Sequence, residues 1–378
     1  MLEYRFAKTE EMPDVIDLID LVFSHVAIPH DFEVILPKCY GANRDYSHVH
    51  AIALRDGKVR GALGCYPVTQ VMQGETLKAG YLGSMAVHRH ERGAGLMKVL
   101  MQMQIDRCRE TGLDMVLLGG QRQRYQYHGF YPCGGNYSYY LSPSCIRHGL
   151  RDVEPALGFE KLEKPGHVEY ALALYQSQAL SGYRSTDDFV DACKSYWSQP
   201  WIILQSDKPV GYVVASNKSD SLTELLVEDE SLLPQVIKSW CAFRSARSVH
   251  VTAYPWDRKL NRFLASFAEG YSNCNDSMMM LLLKPERVIR AYLKLKASLE
   301  PLQDGKLILK LADHPALDIR VEHGEVSVTP TDAEPDLALT MEEGVHLLFA
   351  HNRFYAPEVP TPAGWFPLPM SVAVPDTF

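Results

Sequence analysis

A short loop that contains two glycines, set between an apolar strand and an amphipathic helix, is the feature that most constrains this chain. The strand is predicted to end at Val87, and the helix to begin near Gly95 with apolar residues three and four positions apart. Gly93 and Gly95 let the backbone come close to a ligand. The exposed N–H groups and the positive end of the helix dipole favour anions there. The segment therefore predicts an α/β domain with a phosphate-binding loop, and a plain glycine turn is the alternative interpretation.

Composition and charge limit the classes of protein to consider. The chain has 378 residues, of which 46% are hydrophobic and 22% are charged, as in globular proteins. At about 150 residues a domain, this length predicts two or three domains. The net charge of −8 argues against a nucleic-acid partner. No apolar run is long enough to span a membrane, and the start of the sequence has no signal-peptide pattern.

Cysteines and histidines give no indication of a metal site or of a disulfide framework. The eight cysteines are scattered, and none forms a Cys-x-x-Cys pair. His88 and His90 form a lone His-x-His, which is a weak signal for a metal. We therefore expect no metal, mostly buried free thiols and a cytoplasmic protein.

The order of strands and helices occurs twice along the chain. In residues 1–140 a hairpin with an Asp56-Gly57 turn precedes the strand that ends at Val87. Residues 150–284 repeat that order, with Gly211 in the place of Gly61 and a final strand over 277–283. A degenerate tandem duplication is the simplest explanation, and Ser142-Pro143-Ser144 is predicted to be a linker.

The second copy differs from the first at the loop that would hold a phosphate. After Val227 the sequence reads Glu228-Asp229-Glu230, without a glycine. Three acidic residues at the start of a helix repel a phosphate. We therefore expect only the first copy to bind one.

The last part of the chain has a third pattern. A helix is predicted over 286–300, followed by alternating strands and a second helix over 342–350. Residues 357–378 contain six prolines together with Trp365, Phe366 and Phe378. Because a disordered tail rarely carries so many large apolar groups, this arm is predicted to pack against the protein.

The loop resembles the acyl-CoA motif of the GCN5-related N-acetyltransferases, Arg/Gln-x-x-Gly-x-Gly/Ala. This chain reads His90-x-x-Gly93-x-Gly95, and the departure at His90 affects one contact but not the backbone cradle. The resemblance implies that the pyrophosphate of acetyl-CoA lies on the loop and the pantetheine arm lies along the preceding strand. The residues it implies for acetyl-CoA are Met85, Ala86, Val87, Arg92, Gly93, Ala94, Gly95, Leu96, Met97, Gly120 and Gln121.

The whole layout resembles the enhanced-intracellular-survival-type acetyltransferases. These have two tandem acetyltransferase units, the second without a CoA motif, and a third domain similar to sterol carrier proteins. The resemblance implies an α/β (α+β) protein in which mixed sheets are flanked by helices, with domains at 1–148, 149–284 and 285–378. It also implies a homo-oligomer.

The same resemblance implies two catalytic groups. A tyrosine four residues before the glycine of an aromatic-Gly segment is the general acid, here Tyr125 before Gly129. The general base is the C-terminal carboxylate, here on Phe378. Burial would raise the pKa of such a carboxyl from about 3.5 and make it a better base. The residues alone leave Tyr127 and His128 open as alternatives for the acid.

The expected reaction moves an acetyl group to a primary amine of an aminoglycoside-, polyamine- or lysine-like acceptor, either a small molecule or a peptide. Acidic residues that would suit a cationic acceptor are Asp17, Asp20, Asp31, Glu33 and Asp376. One alternative is an N-acyltransferase with a longer acyl chain. Another is a sensor that binds acyl-CoA in the first domain and a lipid in the third.

Overall fold

The chain divides into two compact units in the computed structural model. The model describes residues 1–25, 28–42, 44–274, 278–351 and 356–378. Unit 1 comprises Met1–Gly134, Asp276–Leu368 and Phe378, and unit 2 comprises Gly135–Asn275 and Pro369–Thr377. The division of the sequence into three domains stays a prediction.

The first part of unit 1 alternates strands and helices, as the sequence predicts. Its strands are β1 (Leu2–Phe6), β2 (His50–Arg55), β3 (Lys58–Met72), β4 (Glu75–Val87), β5 (Met115–Gly119) and β6 (Tyr131–Pro132). Its helices are α1 (Met12–Ser24), α2 (Phe32–Ile35), α3 (Pro37–Tyr40), α4 (Leu96–Glu110) and α5 (Arg122–Tyr125). Asp56 and Gly57 join β2 to β3 with positive φ values of 52° and 75°, as a tight hairpin turn requires.

Unit 2 has the same alternation. Its strands are β7 (Asn136–Leu141), β8 (Gly158–Lys161), β9 (Leu180–Gly182), β10 (Ser198–Gln205), β11 (Lys208–Ser216), β12 (Ser221–Val227), β13 (Val249–Ala253) and β14 (Gly270–Cys274). Its helices are α6 (Pro143–Gly149), α7 (Pro165–Gln176), α8 (Thr186–Lys194), α9 (Leu233–Arg244) and α10 (Arg258–Ala265). The linker predicted at Ser142 is wrong. Ser142 is buried and caps α6 by accepting a hydrogen bond of 3.2 Å from the N–H of Cys145.

The remainder of unit 1 contains one further strand of the first sheet and a small sheet of its own. Its strands are β15 (Met278–Leu282), β16 (Gly305–Leu311), β17 (Ala316–Glu322), β18 (Glu325–Thr331) and β19 (Leu337–Leu339). Its helices are α11 (Pro285–Leu299) and α12 (Met341–Phe349). The small sheet has the order β18-β17-β16-β19. Trp365 and Phe366 in the proline-rich arm are buried.

The large sheet of unit 1 has the order β1-β2-β3-β4-β5-β15-β6. The sequence placed the strand 277–283 in the middle unit, whereas β15 pairs antiparallel with β5, with Met279 opposite Leu118. The described residues of β15 are apolar and buried. An all-apolar sequence predicts a buried strand, but it does not indicate which sheet the strand joins.

The sheet of unit 2 has the order β8-β10-β11-β12-β13-β7-β14. Its strands from β8 to β13 follow the chain as β1 to β5 do in unit 1, but β7, the first strand of unit 2, takes the place that the late strand β15 has in the other sheet. Gly61 of β3 pairs with Val87, the last residue of β4. Gly211 of β11 pairs in the same way with Val227, the last residue of β12. The two sheets therefore share the order of their first five strands and this register, as the predicted duplication requires.

Candidate functional site

A cleft opens in the sheet of unit 1 where two parallel strands separate. β4 and β5 pair only from Ala79 to Leu82 on β4. β4 itself continues to Val87, paired with β3 on its other side. Among the described strands, none pairs with the remaining edge of β4 beside the cleft. Its backbone groups can therefore bind an extended ligand.

A bulge bends β4 at the point where the cleft opens. The register between β3 and β4 shifts between Ala62 and Gly64. Ser84 has a φ of 55°, a strained conformation for a residue other than glycine. The hydroxyl of Tyr40 donates a hydrogen bond of 2.8 Å to Ser84 Oγ, which helps to hold this conformation. The sequence contains no signal for this bulge.

The glycine loop ends in an uncapped helix. Gly93 and Gly95 have φ values of 83° and 79°, and apart from their chain neighbours no described residue has an atom within 4 Å of a Cβ built on either. Gly95 precedes the first residue of α4, and none of the described side chains caps the N–H groups of its first turn. Arg92 and Lys98 are exposed and add positive charge. The loop can therefore bind a phosphate, as the sequence predicts.

The cleft and the loop share one cavity of about 1080 Å³. The predicted acetyl-CoA residues that line it are Met85, Val87, Arg92, Gly93, Gly95, Leu96, Met97, Gly120 and Gln121. Ala86 and Ala94 do not line it. Side chains alternate between the two faces of a strand, so Ala86, which is fully buried, points away from the cavity. The roles of all these residues in binding stay predictions.

A buried acid in the loop is neutralised by an arginine. Glu91 lines the cavity and accepts two hydrogen bonds of 2.7 Å from Arg55. These bonds lower the pKa of Glu91 below its ordinary value. Arg55 thus balances a negative charge at a place where phosphates would bind. The sequence does not indicate this pair, because its two residues lie far apart in the chain.

Tyr125 lies in the wall of the cavity and is half-buried. A Cβ on Gly120 would lie 2.9 Å from Cε2 of Tyr125, so a glycine at 120 leaves room for the ring. Burial raises the pKa of Tyr125, so its hydroxyl stays protonated at neutral pH. Tyr127 also lines the cavity but is 82% exposed. The pKa of His128, a third residue of the lining, is lowered, chiefly by burial.

Phe378 also lines this cavity. Its ring stacks on Tyr66 with the centroids 4.7 Å apart and the planes at 8°. Lys38 Nζ lies 3.5 Å from the centroid of the Phe378 ring. The carboxyl carbon of Phe378 lies beside Gly83, at the start of the cleft. The family resemblance implies a role for Phe378, but nothing in the sequence indicates that Tyr66 and Lys38 lie beside it.

The acidic lining predicted for a cationic acceptor is not formed by the proposed residues. None of Asp17, Asp20, Asp31, Glu33 and Asp376 lines this cavity. Asp20 accepts a hydrogen bond of 2.9 Å from the N–H of Phe32, and Asp31 caps α2. Asp376 accepts a hydrogen bond of 2.7 Å from Arg184 in unit 2. Local backbone contacts therefore engage Asp20 and Asp31, and a buried ion pair engages Asp376.

The described part of the chain contains no group of three His, Cys, Asp or Glu side chains placed to hold a metal ion. None of its helices combines the length and the apolar character needed to cross a bilayer.

Comparison with known proteins identifies the class of this domain. Residues 3–132 match the model of the acetyltransferase (GNAT) domain. A GCN5-related N-acetyltransferase from Kribbella flavida is 16% identical, with 91% of this chain and 89% of that chain covered and a TM-score of 0.64. A GCN5-related N-acetyltransferase from Anabaena variabilis is also 16% identical, with the same coverage and a TM-score of 0.65. Eis1 from Mycobacterium abscessus is 14% identical, with 91% and 88% covered and a TM-score of 0.59. No curated protein sequence matches the chain.

These comparisons confirm the predicted fold class and the kind of enzyme. At such low identity the solved structures show the fold alone, and that shared fold extends over most of the chain. The family match places a GNAT acetyltransferase domain in unit 1. The chain is therefore an acyltransferase with a mixed α/β fold.

Proposed function

We propose that this chain is an acetyl-CoA-dependent N-acetyltransferase that moves an acetyl group to a primary amine by direct attack. The observation that carries the proposal is the shared cavity. It combines an unpaired strand edge, an uncapped helix start, Tyr125 and the last residue, Phe378.

The residues of the cavity fit acetyl-CoA. The N–H groups that follow Gly93 and Gly95, with Arg92 and Lys98, would hold the pyrophosphate. The edge of β4 from Met85 to Val87 would pair with the amides of the pantetheine arm. When bound, acetyl-CoA supplies an acetyl group activated as a thioester.

Two groups of the chain would move the protons. The carboxylate of Phe378 takes a proton from the attacking ammonium, so that the nitrogen lone pair becomes free. Tyr125 would donate its hydroxyl proton to the departing sulfur as the C–S bond breaks, and it would recover a proton from the nitrogen as the amide forms. Because the pKa of Tyr125 is raised, its hydroxyl is protonated at neutral pH and can act as the acid.

The acceptor is an aminoglycoside-, polyamine- or lysine-like primary amine in this proposal, and the enzyme is a cytoplasmic homo-oligomer. A second candidate function is the transfer of a longer acyl chain. Met85, Met97 and Met101 line the cavity, and these flexible apolar side chains suit such a chain.

A thiol-release assay tests the reaction. Acetyl-CoA and octanoyl-CoA are each offered with aminoglycosides, polyamines and lysine peptides. We expect release with acetyl-CoA and at least one amine, whereas preference for octanoyl-CoA would select the second function. No release with any pair, despite measured binding of acetyl-CoA, would leave only a binding or sensor role.

Two variants test the assigned groups. Tyr125→Phe should lower kcat by about 10² to 10³-fold with little change in acetyl-CoA affinity, because it removes only the proton donor. Tyr183→Phe, at a tyrosine of unit 2 that is 69% exposed, is the matched control. A Gly-Ser extension after Phe378 should abolish turnover and keep acetyl-CoA binding. An unchanged kcat in either variant would reject the corresponding role.

A further inference from the structure

Two cysteine side chains meet between the sheet of unit 1 and the helix α4. Cys65 lies on β3 and Cys108 in α4, and their Sγ atoms are 3.5 Å apart. A disulfide bond holds its sulfur atoms about 2.05 Å apart, so these two sulfurs need to approach by about 1.5 Å to be joined. Rotation about the Cα–Cβ bonds of the two cysteines can supply this movement. The fold therefore brings two thiols that are 43 residues apart in the chain within reach of one bond.

Gly80 on the neighbouring strand β4 leaves room for the two sulfur atoms. A Cβ on Gly80 would lie 2.6 Å from Sγ of Cys65 and 3.8 Å from Sγ of Cys108. The first of these distances is too short for a carbon–sulfur contact, so alanine at position 80 would displace the Cys65 side chain. Gly80 does not have a left-handed φ. It is therefore the space taken by the sulfur atoms, and not the backbone conformation, that favours glycine here.

The two thiols differ in access and in reactivity. Cys108 is 2% exposed, whereas Cys65 is only half-buried, so a molecule as small as hydrogen peroxide can reach the pair from the side of Cys65. The hydrogen bond with the Cys65 thiol lowers the pKa of Cys108 against the opposing effect of burial, and Arg107 and Arg109 act in the same direction as the hydrogen bond. Because the thiolate is the reactive form of cysteine, Cys108 is the better nucleophile of the two.

We infer that Cys65 and Cys108 form a modification site, the β3–α4 thiol pair, which a hydroperoxide oxidises to a disulfide. Neither cysteine lines the cavity that contains the glycine loop. The inference rests on the distance between the sulfur atoms, on the space that Gly80 leaves and on the access through Cys65. It goes beyond the proposed function and does not depend on it.

Oxidation of the β3–α4 thiol pair takes two steps. The Cys108 thiolate attacks one oxygen of hydrogen peroxide, the O–O bond breaks, and a sulfenic acid and a hydroxide ion form. The sulfur of Cys65 then attacks the sulfenic sulfur, the S–O bond breaks, and the Cys65 proton leaves with that oxygen as water. The hydroxide takes up the proton that Cys108 released. In total the two thiols lose two protons and two electrons, and the peroxide becomes two molecules of water.

The disulfide would join the sheet of unit 1 to the helix that begins at the glycine loop. Both elements line the cavity, α4 through Leu96 and Met101 and the sheet through Leu82, the register partner of Cys65. The bond would link positions 43 residues apart and so restrict the unfolded chain. We therefore expect oxidation to raise the midpoint of thermal unfolding by about 5 °C.

Peptide mapping by mass spectrometry tests the site on the folded, full-length protein after treatment with hydrogen peroxide. The remaining thiols are blocked with N-ethylmaleimide before digestion, so that pairs cannot rearrange. We expect a peptide pair linked through Cys65 and Cys108 to be at least about tenfold more abundant than any other linked pair, because proximity raises the effective concentration of one thiol at the other. Dithiothreitol should remove the link and restore both thiols.

Three variants identify the sulfur atoms involved. Cys65→Ser and Cys108→Ser should each lack both the linked peptides and the rise in the unfolding midpoint. Cys65→Ala makes the same test without placing a hydroxyl in the apolar core, in case Cys65→Ser does not fold.

Cys145→Ser, at a half-buried cysteine of unit 2, is the matched control and should form the link at the natural rate. If the folded protein forms the link between Cys65 and Cys108 no faster than the same protein in urea, the β3–α4 thiol pair is rejected as a site. A link that forms without a rise in the unfolding midpoint would reject the stabilising effect assigned to it.

Discussion

Arg55, at the end of β2, and Glu91, in the segment that leads to the glycine loop, are joined by two hydrogen bonds of 2.7 Å between guanidinium and carboxylate. Glu91 lines the cavity, so its charge lies near any phosphate bound there. Arg55 lowers the pKa of Glu91 and keeps that carboxylate ionised and paired. In the proposed function, the pair therefore allows an acidic residue in a site for an anionic ligand.

Removing the arginine should weaken the binding of acetyl-CoA. Arg55→Met leaves the charge of Glu91 uncompensated, and we expect the dissociation constant to rise about tenfold at low salt and less at high salt. Isothermal titration calorimetry measures both. Arg55→Met/Glu91→Gln should recover most of the affinity, because it removes the charge as well. Arg151→Met, which breaks an exposed pair with Asp152 in unit 2, is the control. A double variant as weak as the single one would contradict this electrostatic explanation.

Gly95 should tolerate asparagine better than alanine. Its φ is 79°, and apart from its chain neighbours no residue that the structure describes has an atom within 4 Å of a Cβ built there, so backbone strain opposes a side chain. Strain of about 1 to 2 kcal/mol would draw the loop away from its binding conformation in Gly95→Ala, and asparagine visits this region more readily. Acetyl-CoA affinity should fall in the order glycine, asparagine, alanine. Equal affinity for alanine and glycine would show that the left-handed conformation is not needed.

Local signals in the sequence predicted the parts of the fold that depend on local structure. The Asp56-Gly57 turn, the helix that begins after Gly95 and the correspondence of Gly61 with Gly211 all agree with the structure. Turn residues and apolar periodicity depend on only a few neighbouring positions, so these signals can be recognised in each segment of the sequence by itself.

The features that the sequence did not predict all depend on which distant segments meet. β15 joins the sheet of unit 1 although its apolar pattern fits either sheet. Gly64 and Gly83 look like ordinary strand glycines until their register places them opposite each other. The Arg55–Glu91 pair joins positions 36 residues apart. Tertiary pairing creates these features, and neither residue type nor spacing encodes it.

A buried ion pair should control the stability of unit 2. Arg184 donates hydrogen bonds of 2.7 Å to Asp376 and of 2.5 Å to Glu224, and the side chains of Arg184 and Glu224 are 2% and 1% exposed. Arg184→Met would leave two buried carboxylates without their cation. We expect the free energy of unfolding to fall by about 3 to 5 kcal/mol. Urea denaturation at pH 7.5 measures this change.

Two further variants test that explanation. Arg184→Met/Glu224→Gln/Asp376→Asn should recover part of the loss, because neutral amides are cheaper to bury than carboxylates. Lys164→Met, which breaks an exposed pair with Glu160, should have little effect. A loss in Lys164→Met as large as that in Arg184→Met would mean that burial is not the cause.

His50 should make the stability of unit 1 depend on pH. Burial lowers the pKa of His50 to about 4, whereas its pKa in the unfolded chain is about 6.5. Between these values the unfolded chain binds a proton that the folded protein does not. The contribution of His50 to the free energy of unfolding is therefore fully present above pH 7. It is lost as the pH falls from about 6.5 to about 4, which lowers the free energy of unfolding by up to about 3 kcal/mol. His50→Gln cannot titrate and should lack this part of the pH dependence.

The difference between the natural protein and His50→Gln isolates this effect, measured as unfolding free energies by urea denaturation from pH 4 to pH 8. The pKa of Asp257 is raised to about 6 by burial, which acts in the opposite direction, but it is common to both proteins and cancels. The difference should be flat above pH 7 and should change steadily below pH 6.5. Parallel curves over the whole range would show that His50 is protonated equally in the folded and unfolded states, and that its hydrogen bonds to Tyr46 and Tyr66 do not depend on the neutral ring.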